Sequence, residues 1–244
     1  MVKLVGADAL GALNAQAGQG ANNEFTPFKS GTKLVVKVLG TADVMAFDSY
    51  GIFKQVNSFV AANPSDKSPT GYPRENLTPW DKAFQYHQDQ STEFGDHHSQ
   101  EAYKFKPKRR FALGFFDLTS GEQIVVDLSK AQAQAVMETI NKFEKRLGSM
   151  AFELEKAGQG TSTRVTLTPV MFPEEDLSDE QRKNLENAPE EFDVTKFDGI
   201  LFELDETQMV EKLVEAGFDV TAIGYDVPNV VTKPAEEEAP EHQF

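Results

Sequence analysis

Residues 109–128 carry the pattern that most constrains the fold of this chain. Two runs with strand composition, residues 109–116 and 123–128, flank a short polar segment that contains Gly121. A glycine in a short polar connection lets the chain reverse, so the pattern predicts an antiparallel β-hairpin. Any fold proposed for the chain must include this pair of strands.

A helix is predicted directly after the hairpin. Ser129 and Gln132 have the spacing of a capping box, and an apolar stripe of helical period runs from Ala133 to Leu147. Gly148 is placed to end the helix. The hairpin and the helix together form a β-β-α unit.

Alternating apolar residues predict the remaining strands. Residues 31–39 and 44–53 precede the hairpin, and residues 150–154 and 163–167 form a second hairpin after the helix. This is the element order of an OB-fold, a small Greek-key barrel that commonly binds single-stranded nucleic acid. The predicted fold class is α+β, mainly β: an OB-fold-like barrel with a long insertion, a small acidic C-terminal α/β extension and a disordered tail.

Composition divides the chain into segments. The insertion lacks apolar periodicity and contains four prolines, with a short helix predicted near residues 80–88. Within the extension, helices are predicted after Ser178 and Asp205, and a strand at residues 197–204. The predicted segments are a flexible arm at 1–24, a core at 25–170 with its insertion at 55–103, an extension at 171–226 and a disordered acidic tail at 227–244.

Charge is divided unevenly between these segments. Residues 24–166 carry 18 Lys/Arg and 17 Asp/Glu, whereas residues 167–244 carry 5 and 21, within a net charge of −15. A nearly neutral body with local cationic patches, joined to an acidic tail, is typical of a protein that binds a polyanion and competes with it internally.

Several classes of function are disfavoured by what the sequence lacks. The absence of cysteine excludes disulfides, zinc-thiolate sites and thiol catalysis. Motifs of P-loop enzymes, serine hydrolases and zinc proteases are absent, so we expect no enzyme activity and no cofactor. A signal peptide and a long apolar run are also absent, so we expect a soluble, intracellular protein without a membrane partner.

A histidine cluster in the insertion is the one feature that could suggest a metal. Adjacent histidines diverge on a helix and point to opposite faces on a strand, which is poor geometry for shared ligation. We therefore expect no metal site, and a metal-dependent nuclease accessory is a weak alternative. The cluster consists of His87, His97 and His98 with Asp96 and Glu101.

The densest cationic stretch lies at residues 103–111, where five Lys/Arg in seven positions alternate with aromatic residues. Binding of single strands requires cations along the phosphates and flat rings beneath unstacked bases, and a strand here would supply both. Alternatively, Phe111 and its apolar neighbours belong to the core and the cations protect a solvated strand edge.

Aromatic residues of the insertion are further candidates for base stacking, since the insertion has no regular strand face for them. About half of them could instead anchor the insertion to the barrel. The complete set of predicted nucleic-acid-binding residues is Lys33, Lys37, Tyr50, Phe53, Lys54, Tyr72, Arg74, Trp80, Tyr86, Lys104, Phe105, Lys106, Lys108, Arg109, Arg110 and Phe111.

Four segments resemble the single-stranded DNA-binding replication proteins of tailed bacteriophages: KFKPKRRFALGFFD (104–117), IVVDLSKAQA (124–133), FDG (197–199) and AGFDV (216–220). The resemblance implies an OB-fold core, cooperative coating of single strands with self-association in replication and recombination, and location in the cytoplasm of an infected bacterial host. One relative has a Cys/His zinc site, which this cysteine-free chain cannot build.

The acidic tail is the predicted site for partner proteins. Its end resembles the acidic, phenylalanine-terminated ends of phage and bacterial binders, which implies recruitment of replication and recombination proteins. Its acids are also expected to compete with DNA for the basic surface. The predicted partner-binding residues are Glu236, Glu237, Glu238, Glu241 and Phe244.

The leading hypothesis is sequence-tolerant binding of single-stranded DNA without catalysis. The alternative is an acidic adaptor or DNA-mimic protein that binds other proteins through residues 167–244. That alternative does not account for the cationic, aromatic stretch.

Overall fold

The computed structural model describes residues 24–226. The predicted tail, and all but the last residue of the predicted arm, lie outside this range. Two compact units are present: unit 1 contains residues 24–49 and 108–202, and unit 2 contains residues 50–107 and 203–226. The predicted extension therefore contributes to both units. No helix within the described range is long and apolar enough to span a membrane.

Ten strands and six α-helices are assigned within the described residues. The strands are β1 (Lys33–Lys37), β2 (Val44–Ile52), β3 (Val56–Ala61), β4 (Asp66–Lys67), β5 (Pro73–Glu75), β6 (Lys108–Asp117), β7 (Glu122–Ser129), β8 (Phe152–Ala157), β9 (Arg164–Pro169) and β10 (Glu203–Leu204). The helices are α1 (Pro79–Gln90), α2 (His97–Phe105), α3 (Lys130–Lys142), α4 (Pro173–Asp176), α5 (Asp179–Asn187) and α6 (Glu206–Glu215).

The sheet of unit 1 is centred on β6. Residues 110–113 of β6 pair with both β7 and β2, so these two strands lie on opposite edges of β6. Val44 of β2 lies opposite Leu113, and Val36 of β1 lies opposite Asp117, so β2 and β1 extend along the same edge. The ladder then continues from β1 to β8 and from β8 to β9, and all of these pairs are antiparallel.

The predicted hairpin and the start of the predicted helix are confirmed, but α3 ends at Lys142 rather than at Gly148, and a 3-10 helix follows at Glu144–Ser149. β6 and β7 form the hairpin, and α3 begins after Ser129, which forms a capping box with Gln132. α3 buries Ala133, Val136 and Ile140 in a core shared with β7 and β9. This buried face explains the apolar stripe seen in the sequence.

The predicted Greek-key barrel is not closed. No ladder among the described strands joins β7 to β9, so the series of strands stays open. Val126 and Leu128 of β7 and Val165 and Leu167 of β9 bury their side chains in the same core as α3. The helix contacts both strands and covers their apolar side chains.

The insertion is more ordered than predicted. It contains β3, β4, β5, α1 and α2, and the helix predicted near residues 80–88 is confirmed as α1. β3 pairs antiparallel with the end of β2, where Tyr50 lies opposite Phe59, and pairs parallel with β10. Eight strands in all are linked by ladders into a mixed sheet, and β4 and β5 form a separate hairpin.

Trp80 is the centre of the core of unit 2. Its side chain is 0% exposed, and its indole Nε1 donates a hydrogen bond to the carbonyl oxygen of Met209 over 3.1 Å. The ring packs edge-on against Phe59 and Phe105, with centroid distances of 5.2 and 5.5 Å. The insertion and α6 therefore share one aromatic core.

The strand predicted at residues 197–204 is wrong for most of its length. A 3-10 helix occupies Val194–Phe197, and only Glu203–Leu204 is extended and paired. Gly199 has a positive φ of 66°, which interrupts extended backbone between them. Both helices predicted in the extension are confirmed, because Ser178 and Asp205 form capping boxes at α5 and α6.

Candidate nucleic-acid interface

The cationic stretch at residues 103–111 is not one continuous strand, contrary to the prediction. Lys104 and Phe105 complete the last turn of α2, and the Lys106 N–H donates to the carbonyl oxygen of Ala102 over 3.1 Å. Pro107 follows, and a residue before proline is restricted to extended backbone, so the helix ends there. The stretch is therefore divided between the two units.

Both arginines of the stretch form bidentate ion pairs within unit 1. Arg109 donates to Asp48 over 2.7 and 3.0 Å, and Arg110 donates from Nε and Nη2 to Asp127 over 2.7 Å each. Such pairs fix the guanidinium plane. Their carboxylates reduce the net charge that the arginines offer to a phosphate.

Two lysines, Lys108 on β6 and Lys156 on β8, are close enough to Arg110 for their charges to interact. Partial burial lowers the pKa of Lys108, and the Arg110 guanidinium lowers it further. Partial burial and Arg110 also lower the pKa of Lys156 on β8, while Asp127 partly opposes this effect. A bound phosphate would relieve the repulsion between these like charges. We call Lys108, Arg110, Asp127 and Lys156 the Arg110 cluster.

Two half-buried rings lie beside this cluster. Phe47 is directly opposite Arg110 in the β2–β6 ladder, so both side chains lie on the same face of the sheet. The Phe47 ring stacks on Phe25 with a centroid distance of 6.1 Å. Both rings also pack against a buried cluster that includes Ala112 and Phe192, so a base could reach only the part of each ring that stays exposed.

The other predicted residues of unit 1 have structural partners. Lys33 forms an ion pair with Glu153 over 2.5 Å. Lys37 is buried, and its Nζ lies 3.4 Å from the carbonyl oxygen of Leu185. Phe111 is half-buried and packs against the core beneath α3, as in the alternative interpretation of the stretch.

Three predicted stacking residues are enclosed in the core of unit 2. Tyr50, Trp80 and Phe105 are 2%, 0% and 3% exposed. A base cannot stack on a ring that is covered on both faces, so we remove these three from the candidate surface. Their burial favours the alternative that the aromatic residues anchor the insertion.

A buried carboxylate explains the position of Tyr50. Asp81 is 0% exposed, and its Oδ2 accepts hydrogen bonds from the Tyr50 hydroxyl and the Thr78 hydroxyl over 2.9 Å each. The Ser65 hydroxyl donates to the same oxygen. Thr78 also caps α1, so the network links this helix to the end of β2.

The remaining predicted residues of unit 2 are at its surface, and their binding role stays a prediction. The Phe53 ring is 88% exposed, with the Lys54 Nζ 5.5 Å from its centre. Arg74 and Lys106 are exposed. Tyr72 is 40% exposed and packs on Phe84. Lys104 forms an ion pair with Glu101. Tyr86 is half-buried and packs against Phe218.

Sequence reasoning missed Lys156, Phe25 and Phe47. Phe47 lies in a predicted strand, but its position opposite Arg110 depends on a pairing register that the strand pattern does not contain. Lys156 is a single cation on a strand, and nothing in its sequence neighbourhood distinguishes it.

A histidine pair joins α1 and α2. The Nδ1 atoms of His87 and His98 lie 3.1 Å apart, so one ring donates a hydrogen bond to the other. The His87 ring also stacks on Phe105 with a centroid distance of 5.8 Å. Partial burial lowers the pKa of His87, and so does His98. Within residues 24–226, no group of three or more potential ligands could hold a metal ion.

Acidification should therefore destabilise unit 2. A histidine whose pKa is lowered by folding binds its proton more readily in the unfolded chain, so stability is lost as pH falls through the unfolded value of about 6.5. Of the surrounding charges, Glu101 opposes this effect, whereas His97 and Lys104 add to it. We expect the Tm reported by Trp80 fluorescence to fall between about pH 7.5 and pH 5.5.

Two variants test the assignment to the histidine pair. His87→Gln should flatten the dependence of Tm on pH, whereas His97→Gln, which leaves the His87–His98 hydrogen bond in place, should keep most of it. Equal flattening in both variants would contradict this assignment.

No protein-family model, no curated protein and no solved structure matches the chain. The resemblance to phage replication proteins therefore stays an expectation from the sequence.

Proposed function

We propose that the protein is a sequence-tolerant, non-enzymatic single-stranded DNA-binding protein. The Arg110 cluster is the observation that carries this proposal. It concentrates Lys108, Arg110 and Lys156 on one region of unit 1, beside the half-buried Phe25–Phe47 pair. The cations suit a phosphate, and the exposed parts of the two rings suit contact with an unstacked base.

The strand order of unit 1 supports the proposal. β1 and β2 pair with the same edge of β6, as two halves of one bent strand, and β6–β7, α3 and β8–β9 follow. This matches the element order of an OB-fold in which the last closing ladder is absent. We infer an open OB-fold-like core, a fold known to present a nucleic-acid-binding face.

Binding would stabilise the single strand relative to the duplex. Lysine and arginine release condensed counterions from the phosphates, and rings replace the base stacking lost on strand separation. Neither contact reads a base edge, so the binding tolerates different sequences.

The biological setting is a proposal that rests on the resemblance alone. It places the protein in the cytoplasm of an infected bacterium, coating single strands during phage replication and recombination. The acidic tail, outside the described residues, would recruit partner proteins, and self-association would help to coat the strand.

A salt titration tests the proposed function. The intact protein should prefer a labelled poly-pyrimidine strand to the matching duplex, as measured by fluorescence anisotropy. If four to six phosphates are contacted, log affinity should fall against log salt with a slope of about −3 to −4. Equal affinity for the duplex, or indifference to salt, would favour the adaptor or DNA-mimic alternative.

A further inference from the structure

Unit 2 contains an open groove that none of the predicted stacking residues defines. It is lined by α1, by α2 and by the connection between them, and its volume is about 500 Å³. This volume lies within the range of small-molecule sites. The residues important for its chemistry are Phe84, Gln88, Phe94, Gln100, Tyr103 and Lys106.

Two of the lining rings are unusually exposed. Phe94 is fully exposed, at 104%, and Tyr103 is 69% exposed. Phe84, only 3% exposed, contributes to the lining from the core of the unit. Exposed large rings that border one groove mark an interaction surface. Exposing them to water is unfavourable, and they add nothing to the packing of the core.

The polar residues of the groove suit a nucleotide. Lys106 is the charged residue among those that line it, so the lining is cationic. Gln88 and Gln100 provide amides, which can both donate to and accept from a base edge. The Gln100 Nε2 donates to the carbonyl oxygen of Gly95 over 2.8 Å, which holds that side chain at the rim.

We propose that this groove binds one unstacked base of a bound single strand, with Lys106 contacting the adjoining phosphate. The proposal rests on the proposed function and adds a second contact to the Arg110 cluster. A single strand is favoured over a protein segment because rings, amides and a cation together match a base and its phosphate.

Exposed rings permit a test that leaves the core intact. Phe94→Ala and Tyr103→Ala should each weaken binding of a poly-pyrimidine strand of about 20 nucleotides by about 5- to 100-fold, the effect of losing one stacked base. The matched control is Phe172→Ala, which removes a ring that is 64% exposed in unit 1. The control should bind as the wild type does, and all variants should keep the wild-type Tm.

Photo-crosslinking locates the contact directly. An oligonucleotide of 5-iodouridine, irradiated with the wild-type protein, should give a cross-linked peptide that contains Phe94 or Tyr103.

The outcomes separate this proposal from the proposed function. If both ring variants bind with wild-type affinity and cross-links are confined to unit 1, the groove proposal is overturned and the proposed function still stands. A groove that binds a protein segment would give this result. No preference of the wild type for single strands overturns both.

Discussion

Replacing Lys108 and Lys156 together with glutamine should weaken binding of single-stranded DNA by about 100-fold at low salt. Each lysine can donate one charge-assisted hydrogen bond to a phosphate, worth about 1.5 kcal/mol. Losing two phosphate contacts should also make the salt slope shallower by about 1.4. Both values come from the same anisotropy titration, performed from low to moderate salt.

The stability of this double variant distinguishes a binding role from a structural one. Burial and Arg110 lower the pKa of both lysines, so their charged forms are disfavoured in the folded protein. Removing these charges should leave the Tm unchanged or raise it. The matched control is Lys142→Gln with Lys183→Gln, which removes the same charge from exposed positions on α3 and α5.

A generic loss of charge would weaken binding equally in both double variants. That result, or a lower Tm in the Lys108 and Lys156 variant, would contradict the assignment of a phosphate site to the Arg110 cluster.

Replacing Trp80 with alanine should lower the free energy of unfolding of unit 2 by about 3 to 5 kcal/mol, as for other fully buried aromatic residues. The change removes a ring that contacts Phe59 and Phe105, and it leaves the carbonyl oxygen of Met209 without its donor. Urea unfolding followed by circular dichroism measures the effect, since the variant has no tryptophan.

An exposed ring of the same unit provides the comparison. Phe53→Ala, at a side chain that is 88% exposed, should change the free energy of unfolding by less than about 0.5 kcal/mol. If Trp80→Ala left stability unchanged and weakened only DNA binding, the packing interpretation would be wrong and the original stacking prediction would be restored.

Local signals were sufficient to predict the β6–β7 hairpin and the start of α3 in unit 1. The capping box of Ser129 and the apolar stripe of α3 are contained within a few turns, and the β6–β7 hairpin joins neighbours in sequence. Whether a ladder joins β7 to β9 could not be predicted, because it depends on pairing between strands that are distant in sequence. Periodicity identifies the buried face of an element, not the element that covers it.

Unit 2 could not be predicted from local patterns. Its core combines the insertion with residues 203–226, and Trp80 packs with Met209 and Leu213 of α6, which is distant in sequence. The sequence pattern indicates that the insertion has no strand face for its aromatic rings, and it predicts a helix after Asp205. Local patterns do not show that the rings of the insertion and the apolar face of α6 pack against each other.

The sequence identified several residues of the candidate site but not how they are arranged in space. Lys108 and Arg110 were identified, and they remain together on β6. A continuous strand across Pro107 would put Lys104 and Lys106 on the same face as Lys108 and Arg110. In the structure a helix ends at Phe105, so the strand does not extend back to Lys104 and Lys106. The carboxylates of Asp48 and Asp127 come from neighbouring strands, so the pairing of both arginines was not visible in the stretch itself.

The discontinuous composition of the two units has a consequence for biosynthesis. The ribosome makes Trp80 long before Met209, which accepts its hydrogen bond 129 residues later. At roughly 5 to 20 residues per second, this interval is about 10 s. During it, the aromatic residues of the insertion have emerged while the helix that covers them has not. The nascent chain therefore exposes an aromatic surface until residues 203–226 have been translated, which makes it a substrate for chaperones.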